Sequence, residues 1–400
     1  MGVDTVGVPT STSDSDDDKF AMIRAAMPAA AKSVYLNTGT NGPMSRPAYD
    51  ALIEGAKSDF EAERSGYAKF EHMFATMRQT RSAMARLLGC ADDEIALTHN
   101  TTEGMNIALH GLGWQPGDEV ITSSTEHPGG LHPLYVLAHR FGVKIRMTRI
   151  GAPDVDPVAE LQAHLTTRTR AVMLSHVSWT SGMVLPMRAL SDLAHAAGAL
   201  MICDAAQSCG MVPANVYELG VDAYACSGQK WLCGPDGTGA LFIRRDRLGD
   251  VHQTYAGYPA FSASDLSGYF VPNATAQRYE AATIYPPSVA ALQASLQWIA
   301  ESVGWEWAHQ RIARLGRLCY DTLAALPGVT MYTPKDTMAG LIHFIIEGVA
   351  PEDLTKRLAE RNIVIRHTPH PSANRVSTGF YTSEEDITQL ARAVGEMAAS

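Results

Sequence analysis

Lys230 stands where covalent chemistry could begin. It lies in Ser227-Gly228-Gln229-Lys230-Trp231, and the glycine-rich run Gly234-Pro235-Asp236-Gly237-Thr238-Gly239 follows it. Upstream, the apolar run Ala199-Leu200-Met201-Ile202-Cys203 ends in Asp204-Ala205-Ala206-Gln207. A lysine among small polar residues, together with an acid that closes a strand, suits pyridoxal 5'-phosphate. The amine would form a Schiff base with the cofactor aldehyde, and the Asp204 carboxylate would hold the pyridinium proton, keeping the ring an electron sink.

Other residues could serve the same chemistry. Asn100-Thr101-Thr102-Glu103-Gly104 opens a helical pattern with Met105, Ala108 and Leu109 on its apolar side. Hydroxyls and free amides at a helix start favour a phosphate, although a threonine followed by an acid in the first turn is also an ordinary helix cap. Ser227 and Gln229 could add donors. His127, in Thr125-Glu126-His127-Pro128-Gly129-Gly130, could lie over the pyridine ring and move protons, or could simply face solvent from a loop. Arg375 carries the planar fork that fits a substrate α-carboxylate, while a surface ion pair is the commoner use of a single arginine. Rival motifs are missing: there is no Gly-Lys dipeptide of a P-loop and no G-x-G-x-x-G opening a helix after a strand. The histidines lack zinc spacing, so no metal is expected. Ser208 and Ser227 sit in no nucleophile elbow.

These residues need a scaffold, and the chain patterns one. Apolar runs at Ile95-Thr98, Glu119-Ser123, Val143-Met147, Ala171-Ser175, Leu200-Cys203, Ala223-Cys226 and Ala240-Ile243 alternate with helical stretches such as Arg188-Leu200. Seven such runs predict a mostly parallel sheet with helices on both faces, and ligands beyond the carboxyl ends of its strands. Thr101, His127 and Asp204 each follow a run in that way. Tyr255-Pro287 reads as long irregular loops, Ser288-Ala325 as one long helix, Leu341-Glu347 as a strand, and Glu352-Arg361 and Glu384-Met397 as helices. The expected fold is α/β, with a large domain at 31–275 and a smaller α+β C-terminal domain at 276–400. Residues 1–30, which open on a Ser-, Thr- and Asp-rich stretch without a secretory h-region, are expected to be a flexible tail and arm.

Composition agrees with a water-soluble enzyme. With 32 Lys+Arg against 42 Asp+Glu, a formal charge of −10, the chain has no basic field for nucleic acid. No run reaches the roughly 18 apolar residues of a membrane span. Six unclustered cysteines, several in predicted strands, point to buried thiols in a reducing cytoplasm.

Taken together, these segments resemble the class V aminotransferase family of fold-type I pyridoxal-phosphate enzymes, which includes cysteine desulfurases, cysteine lyases and isopenicillin-N-epimerase-like proteins. The likeness runs from about Tyr35 to the C-terminus. It includes Tyr35-Leu36-Asn37-Thr38-Gly39, Asn100-Gly104, Glu126-His127, His176-Val177-Ser178, Asp204-Gln207, Ser227-Lys230, Tyr279-Thr283 and Arg375. The resemblance implies that Lys230, Asp204 and His127 are catalytic. Gln207 would approach the cofactor's phenolic oxygen, and Thr101, Thr102, Ser227 and Gln229 would hold its phosphate. Thr283 would reach the cofactor of a neighbouring subunit, making a homodimer with shared sites. Arg375 would bind the substrate carboxylate, with Asn37 to Asn41 at the entrance.

Two departures shape the expected reaction. Desulfurases carry a nucleophilic cysteine on a loop just before the carboxylate-binding arginine; here Arg366-His367-Thr368-Pro369-His370-Pro371-Ser372-Ala373-Asn374 has none. Trp179 replaces an asparagine common near the substrate carboxylate, so it joins the candidate substrate-binding residues. A lyase acting on an S-conjugated cysteine or similar β-substituted amino acid in specialised metabolism is therefore expected. Decarboxylating deamination, transamination and epimerisation stay open alternatives. The intact Lys230, Asp204 and His127 argue against a non-catalytic scaffold.

Overall fold

The structure, a computed structural model, describes residues 13–281 and 283–398. After a short strand β1 (Val34–Tyr35) the chain lays down seven strands: β2 (Ile95–Thr98), β3 (Glu119–Ser123), β4 (Lys144–Thr148), β5 (Thr169–Ser175), β6 (Leu200–Asp204), β7 (Ala223–Ser227) and β8 (Gly239–Ile243). They form one sheet in the order β2-β8-β7-β6-β5-β3-β4. All neighbours are parallel except β8, which runs antiparallel to β2 and β7. The inner strands β5 to β8 read as largely apolar runs because both faces are covered, whereas edge strand β4, Lys144-Ile145-Arg146-Met147-Thr148, is largely uncovered. Along β5, Val172 and Leu174 pack into one core cluster, and Ala171 and Met173 into another on the opposite face.

A hairpin of β9 (Phe261–Ser264) and β10 (Phe270–Pro272) follows, in a region where the sequence suggests only loops. The second sheet is antiparallel, ordered β11-β12-β15-β14, from β11 (Val329–Met331), β12 (Leu341–Ile346), β14 (Arg366–Pro369) and β15 (Ser372–Ser377). Strand β13 (Ile363–Val364) pairs instead with β1. Helices Trp305–Ala324, Pro351–Glu360 and Glu384–Ala398 supply Leu315, Leu354 and Leu390 to the core beside this sheet.

Several expectations need correction. The long helix expected over Ser288–Ala325 is two helices, Pro286–Trp298 and Trp305–Ala324, joined by a π-helical turn and broken at Gly304, whose φ of 84° lies in the left-handed region. Within the expected C-terminal unit, Leu292 and Leu296 of the first of these helices pack in a cluster of the seven-stranded sheet. The flexible tail is also corrected from residue 13 onward; its first part, 1–12, lies outside the described residues. Ser13–Ala26 is a helix in which Ile23 is fully buried, as is Met27 just after it. Arg24 pairs with Asp386 at 2.9 Å, and the Arg311 guanidinium lies 4.1 Å from the centre of the Phe20 ring. Among the described residues no helix is long and apolar enough to cross a membrane.

Candidate active site

The carboxyl ends of β5, β6 and β7 and the start of helix Thr101–His110 converge on a cavity of about 200 Å³. Lys230 enters it from the loop between β7 and β8, which is closed on itself by Gly228 N–H to Thr238 O (2.8 Å) and Gly234 N–H to Gly228 O (2.9 Å). Gly228 has to lack a side chain, because a Cβ there would fall 2.2 Å from Thr238 Oγ1. The loop is braced from outside as well. Gly42 N–H donates to Gln229 O (2.7 Å), Ser295 Oγ to Leu232 O (2.7 Å), and Trp231 Nε1 to Gln207 Oε1 (3.0 Å). Gln207 in turn donates through Nε2 to Gly39 O (2.9 Å).

At the opposite wall the helix is capped by Asn100, whose Oδ1 accepts from Glu103 N–H at 2.9 Å. The threonine hydroxyls are therefore not consumed by capping. Thr101 Oγ1 donates to Ser227 Oγ at 3.1 Å. Gly129 has the space that lets Thr102 and His127 approach one another, since a Cβ on it would lie 2.6 Å from Thr102 Oγ1.

Electrostatics separate the roles of the titratable groups. Burial, opposed by Asp204 and assisted by Arg375 and Arg366, lowers Lys230 to about 8. Burial and then the charges of Lys230, Arg366, Arg375 and His132 lower His127 to about 4. Its Nδ1 accepts from Gly129 N–H (3.0 Å), so a neutral ring carries its proton on Nε2. Its ring meets Trp179 edge-to-face, with centroids 5.0 Å apart at 80°. Asp204 is raised by burial, against the pull of the Ala206 N–H (2.9 Å) and Lys230. A cationic partner would lower it again. Glu126, buried beside it, is raised to about 8 by desolvation, opposed by the backbone N–H (2.8 Å) and hydroxyl of Ser175.

Most sequence-derived candidates meet here: Lys230, His127 and Asp204, the phosphate donors Thr101, Thr102, Ser227 and Gln229, the cofactor-side Gln207, and the substrate-side Trp179 and Arg375 all line the cavity. Three do not. Asn37 accepts the Thr40 hydroxyl at 2.8 Å and so orients a lining residue, while Asn41 is exposed and faces Asp236. Of the Asn37–Asn41 stretch it is Gly39 and Thr40 that line the wall. Thr283 is exposed and lines a separate groove with Glu54, Met73 and Pro286. The sequence reading missed Arg366, and named Thr40 only within the Asn37–Asn41 stretch. Arg366 opens the cysteine-free segment already quoted, but its role depends on a hairpin that brings it beside Arg375: β14 and β15 pair Arg366 with Arg375 in register.

The cavity fits pyridoxal 5'-phosphate. Gln229 Oε1, Trp179 Nε1 and Arg375 Nε are buried without a hydrogen-bond partner among the described residues, as expected where a ligand completes the bonding. Lys230 could carry the cofactor, Asp204 could face its ring nitrogen, and the hydroxyls and free amides at the helix start could hold its phosphate.

The sheet order, with a lysine after β7 and an acid ending β6, defines a fold-type I pyridoxal-phosphate enzyme. The family model for aminotransferase class-V matches residues 50–390, and the chain belongs to that family. It is 29% identical over 401 residues to the cysteine desulfurase CsdA of Escherichia coli strain K12, covering 94% of this chain and 96% of that protein. It is 28% identical to isopenicillin N epimerase of Streptomyces clavuligerus, with 90% and 94% covered. Among solved structures, the cystine C-S lyase C-DES in complex with its product cysteine persulfide superposes with a TM-score of 0.87 at 30% identity, covering 92% of this chain and 98% of that one. The protein is thus a pyridoxal-phosphate-dependent enzyme acting on amino acids.

Proposed function

We propose that this enzyme is a lyase that cleaves the Cβ–S bond of an S-substituted cysteine or a similar β-substituted amino acid. The observation that carries the reading is the absence of a thiol at the cavity. None of its described lining residues is a cysteine, and the segment Arg366–Asn374 is a tight hairpin without one. A desulfurase stores sulfur on a thiolate, whereas Cys233, near Lys230 in the chain, is buried and pushed up to about 12 by desolvation. The solved cystine C-S lyase supports the same direction.

Bound pyridoxal phosphate supplies the electron sink that acidifies the substrate Cα–H. The residues do the rest. Lys230, with its lowered basicity, would take the Cα proton. Asp204 would hold the ring-nitrogen proton. Neutral His127, steadied against Trp179, would cover the ring face, and Arg375 would fix the α-carboxylate. The Cβ–S electron pair leaves with sulfur as a thiol after protonation, and hydrolysis of the enamine fragment gives a 2-oxo acid and ammonia.

The proposed assembly is a homodimer. Thr283 is exposed and remote from its own chain's cavity lining, and Phe60 and Tyr67 are 90% and 80% exposed, apolar surface that a second copy would cover. The function is tested by mass spectrometry of products from a panel of cysteine S-conjugates, in wild type and in a variant with all six cysteines replaced. Thiol, 2-oxo acid and ammonia from both proteins support elimination. A trapped persulfide on any cysteine would restore the desulfurase reading.

A further inference from the structure

His343 is a polar ring at a position that packing alone would fill with an apolar side chain. It is fully buried on β12. Its backbone is satisfied: the N–H donates to Thr333 Oγ1 at 2.7 Å, and the carbonyl accepts from Tyr332 N–H at 2.9 Å. Both ring nitrogens, by contrast, lack a hydrogen-bond partner among the described residues. Burying an unpaired imidazole costs free energy that a leucine in the same space would not.

The strand register shows what the ring faces. His343 stands directly opposite Arg375, and Arg375 directly opposite Arg366, so the three side chains share one face of the sheet. Arg375 is 1% exposed. Its Nη2 donates to Thr40 Oγ1 at 2.9 Å, which can accept because the Thr40 proton goes to Asn37 Oδ1 (2.8 Å). Its Nε–H is buried and has no partner among the described residues. An unpaired donor and an unpaired ring therefore meet across one strand pair. Burial and then the charge of Arg375 hold the His343 ring well below its ordinary value, against the pull of the Trp179 backbone. The ring is thus neutral, and one of its nitrogens keeps a lone pair.

Charge explains why the acceptor is an imidazole and not an acid. Arg375 is lowered to about 9 by burial and then by Arg366, with no carboxylate among the described residues to oppose them. A carboxylate behind Arg375 would close an ion pair there and repel an incoming carboxylate. A neutral lone pair satisfies the Nε–H and leaves the positive charge to the ligand.

We propose that His343 is a positioning residue: its neutral ring accepts the Arg375 Nε–H as the terminal guanidinium nitrogens engage the substrate carboxylate, and so aims the fork into the cavity. This rests on Arg375 as the α-carboxylate anchor named above, and is independent of which substrate bond the enzyme breaks.

The test titrates the cofactor absorbance of the holoenzyme with L-alanine, which has no β-leaving group, and with L-alaninamide, which lacks the carboxylate. Wild type, His343→Phe, His343→Asn and Arg375→Gln are compared at one pH. Retention of the visible cofactor band checks that each variant is folded, and His343→Leu replaces His343→Phe if the larger ring does not fit. His343→Phe should weaken alanine about tenfold, the scale of one charge-assisted hydrogen bond, and leave alaninamide unchanged. His343→Asn, whose amide oxygen is an acceptor, should recover most of that loss. Equal losses on both ligands would mean that the ring only packs, and would overturn the proposal. So would His343→Asn as weak as His343→Phe. A wild type with the same alanine-to-alaninamide ratio as Arg375→Gln would remove Arg375 from the carboxylate and the proposal with it. A wild-type preference that survives His343→Phe intact would overturn the role of His343 alone.

Discussion

The lowered basicity of Lys230 makes a quantitative prediction about cofactor capture, independent of turnover. Only the neutral amine attacks an aldehyde. With the ammonium lowered from 10.5 to about 8, about one tenth of Lys230 is neutral at pH 7, against roughly one in three thousand for an ordinary lysine, a gain of about 300-fold. The sign of each contribution is set by the structure. Burial disfavours the ammonium and so lowers its pKa, while the anion of Asp204 favours it and raises it. The assay mixes cofactor-stripped enzyme with excess pyridoxal phosphate in a stopped-flow instrument and follows the visible band from pH 6 to 10. The same reaction with a free amine provides the correction for the aldehyde's own ionisation. The logarithm of the rate constant should climb with unit slope to about pH 8 and then flatten. Asp204→Asn removes a charge that holds the proton on, so its plateau should begin at lower pH. A rate still climbing with unit slope beyond about pH 9.5 would refute the reasoning, since it would mean a lysine of ordinary basicity.

Three further outcomes follow from named contacts. Asp204→Asn should keep the cofactor, seen by its absorbance, and lower kcat/KM by roughly two orders of magnitude or more, because the anion that retains the ring proton is gone; near wild-type turnover would remove Asp204 from that role. Mixing Lys230→Ala with Thr283→Ala, each inactive alone, should restore part of the activity after verified subunit exchange if Thr283 serves the neighbouring site, and no recovery would argue for sites built from one chain. Arg81 binds Glu280 through Nε and Nη2 at 2.7–2.9 Å while Glu280 also accepts Leu97 N–H, all of it buried; Arg81→Met should therefore cost about 3–5 kcal/mol in urea unfolding by stranding the carboxylate, and adding Glu280→Gln should recover much of that loss.

Legibility in the sequence followed burial. The strands of the large sheet declare themselves because both faces are packed, so β5 to β8 read as unbroken apolar runs. Lys230 and Asp204 were legible because their chemistry is written in short contiguous segments. Arg366 was not, because its meaning comes from pairing across a hairpin whose polar, proline-containing sequence reads as a loop. The helix break at Gly304 had a visible signal in the glycine itself. The helix Ser13–Ala26 had one too: Phe20 and Ile23, with Met27 just past its end, recur at helical spacing, and the acidic run before them masks it. Thr40 was legible only as part of the Asn37–Asn41 stretch, since a hydroxyl that receives the guanidiniums of Arg366 and Arg375 is defined only by what folds around it.

The packing of the chain's first segment bears on how the protein is made. Ile23 and Met27 share a core cluster with Trp231 and Cys233 of the lysine loop and with Phe380 and Tyr381. Strand β1 pairs with β13, and Arg24 pairs with Asp386. Elements made earlier must therefore wait for partners such as Asp386, 362 residues further along the chain from Arg24. During synthesis the seven-stranded sheet can form while the floor beneath Lys230 is still open and Arg375 has yet to arrive. Competence to act on substrate thus comes only once the segment around Asp386 has been made, and a chain truncated before Asp386 would display a formed sheet around an unfinished catalytic centre.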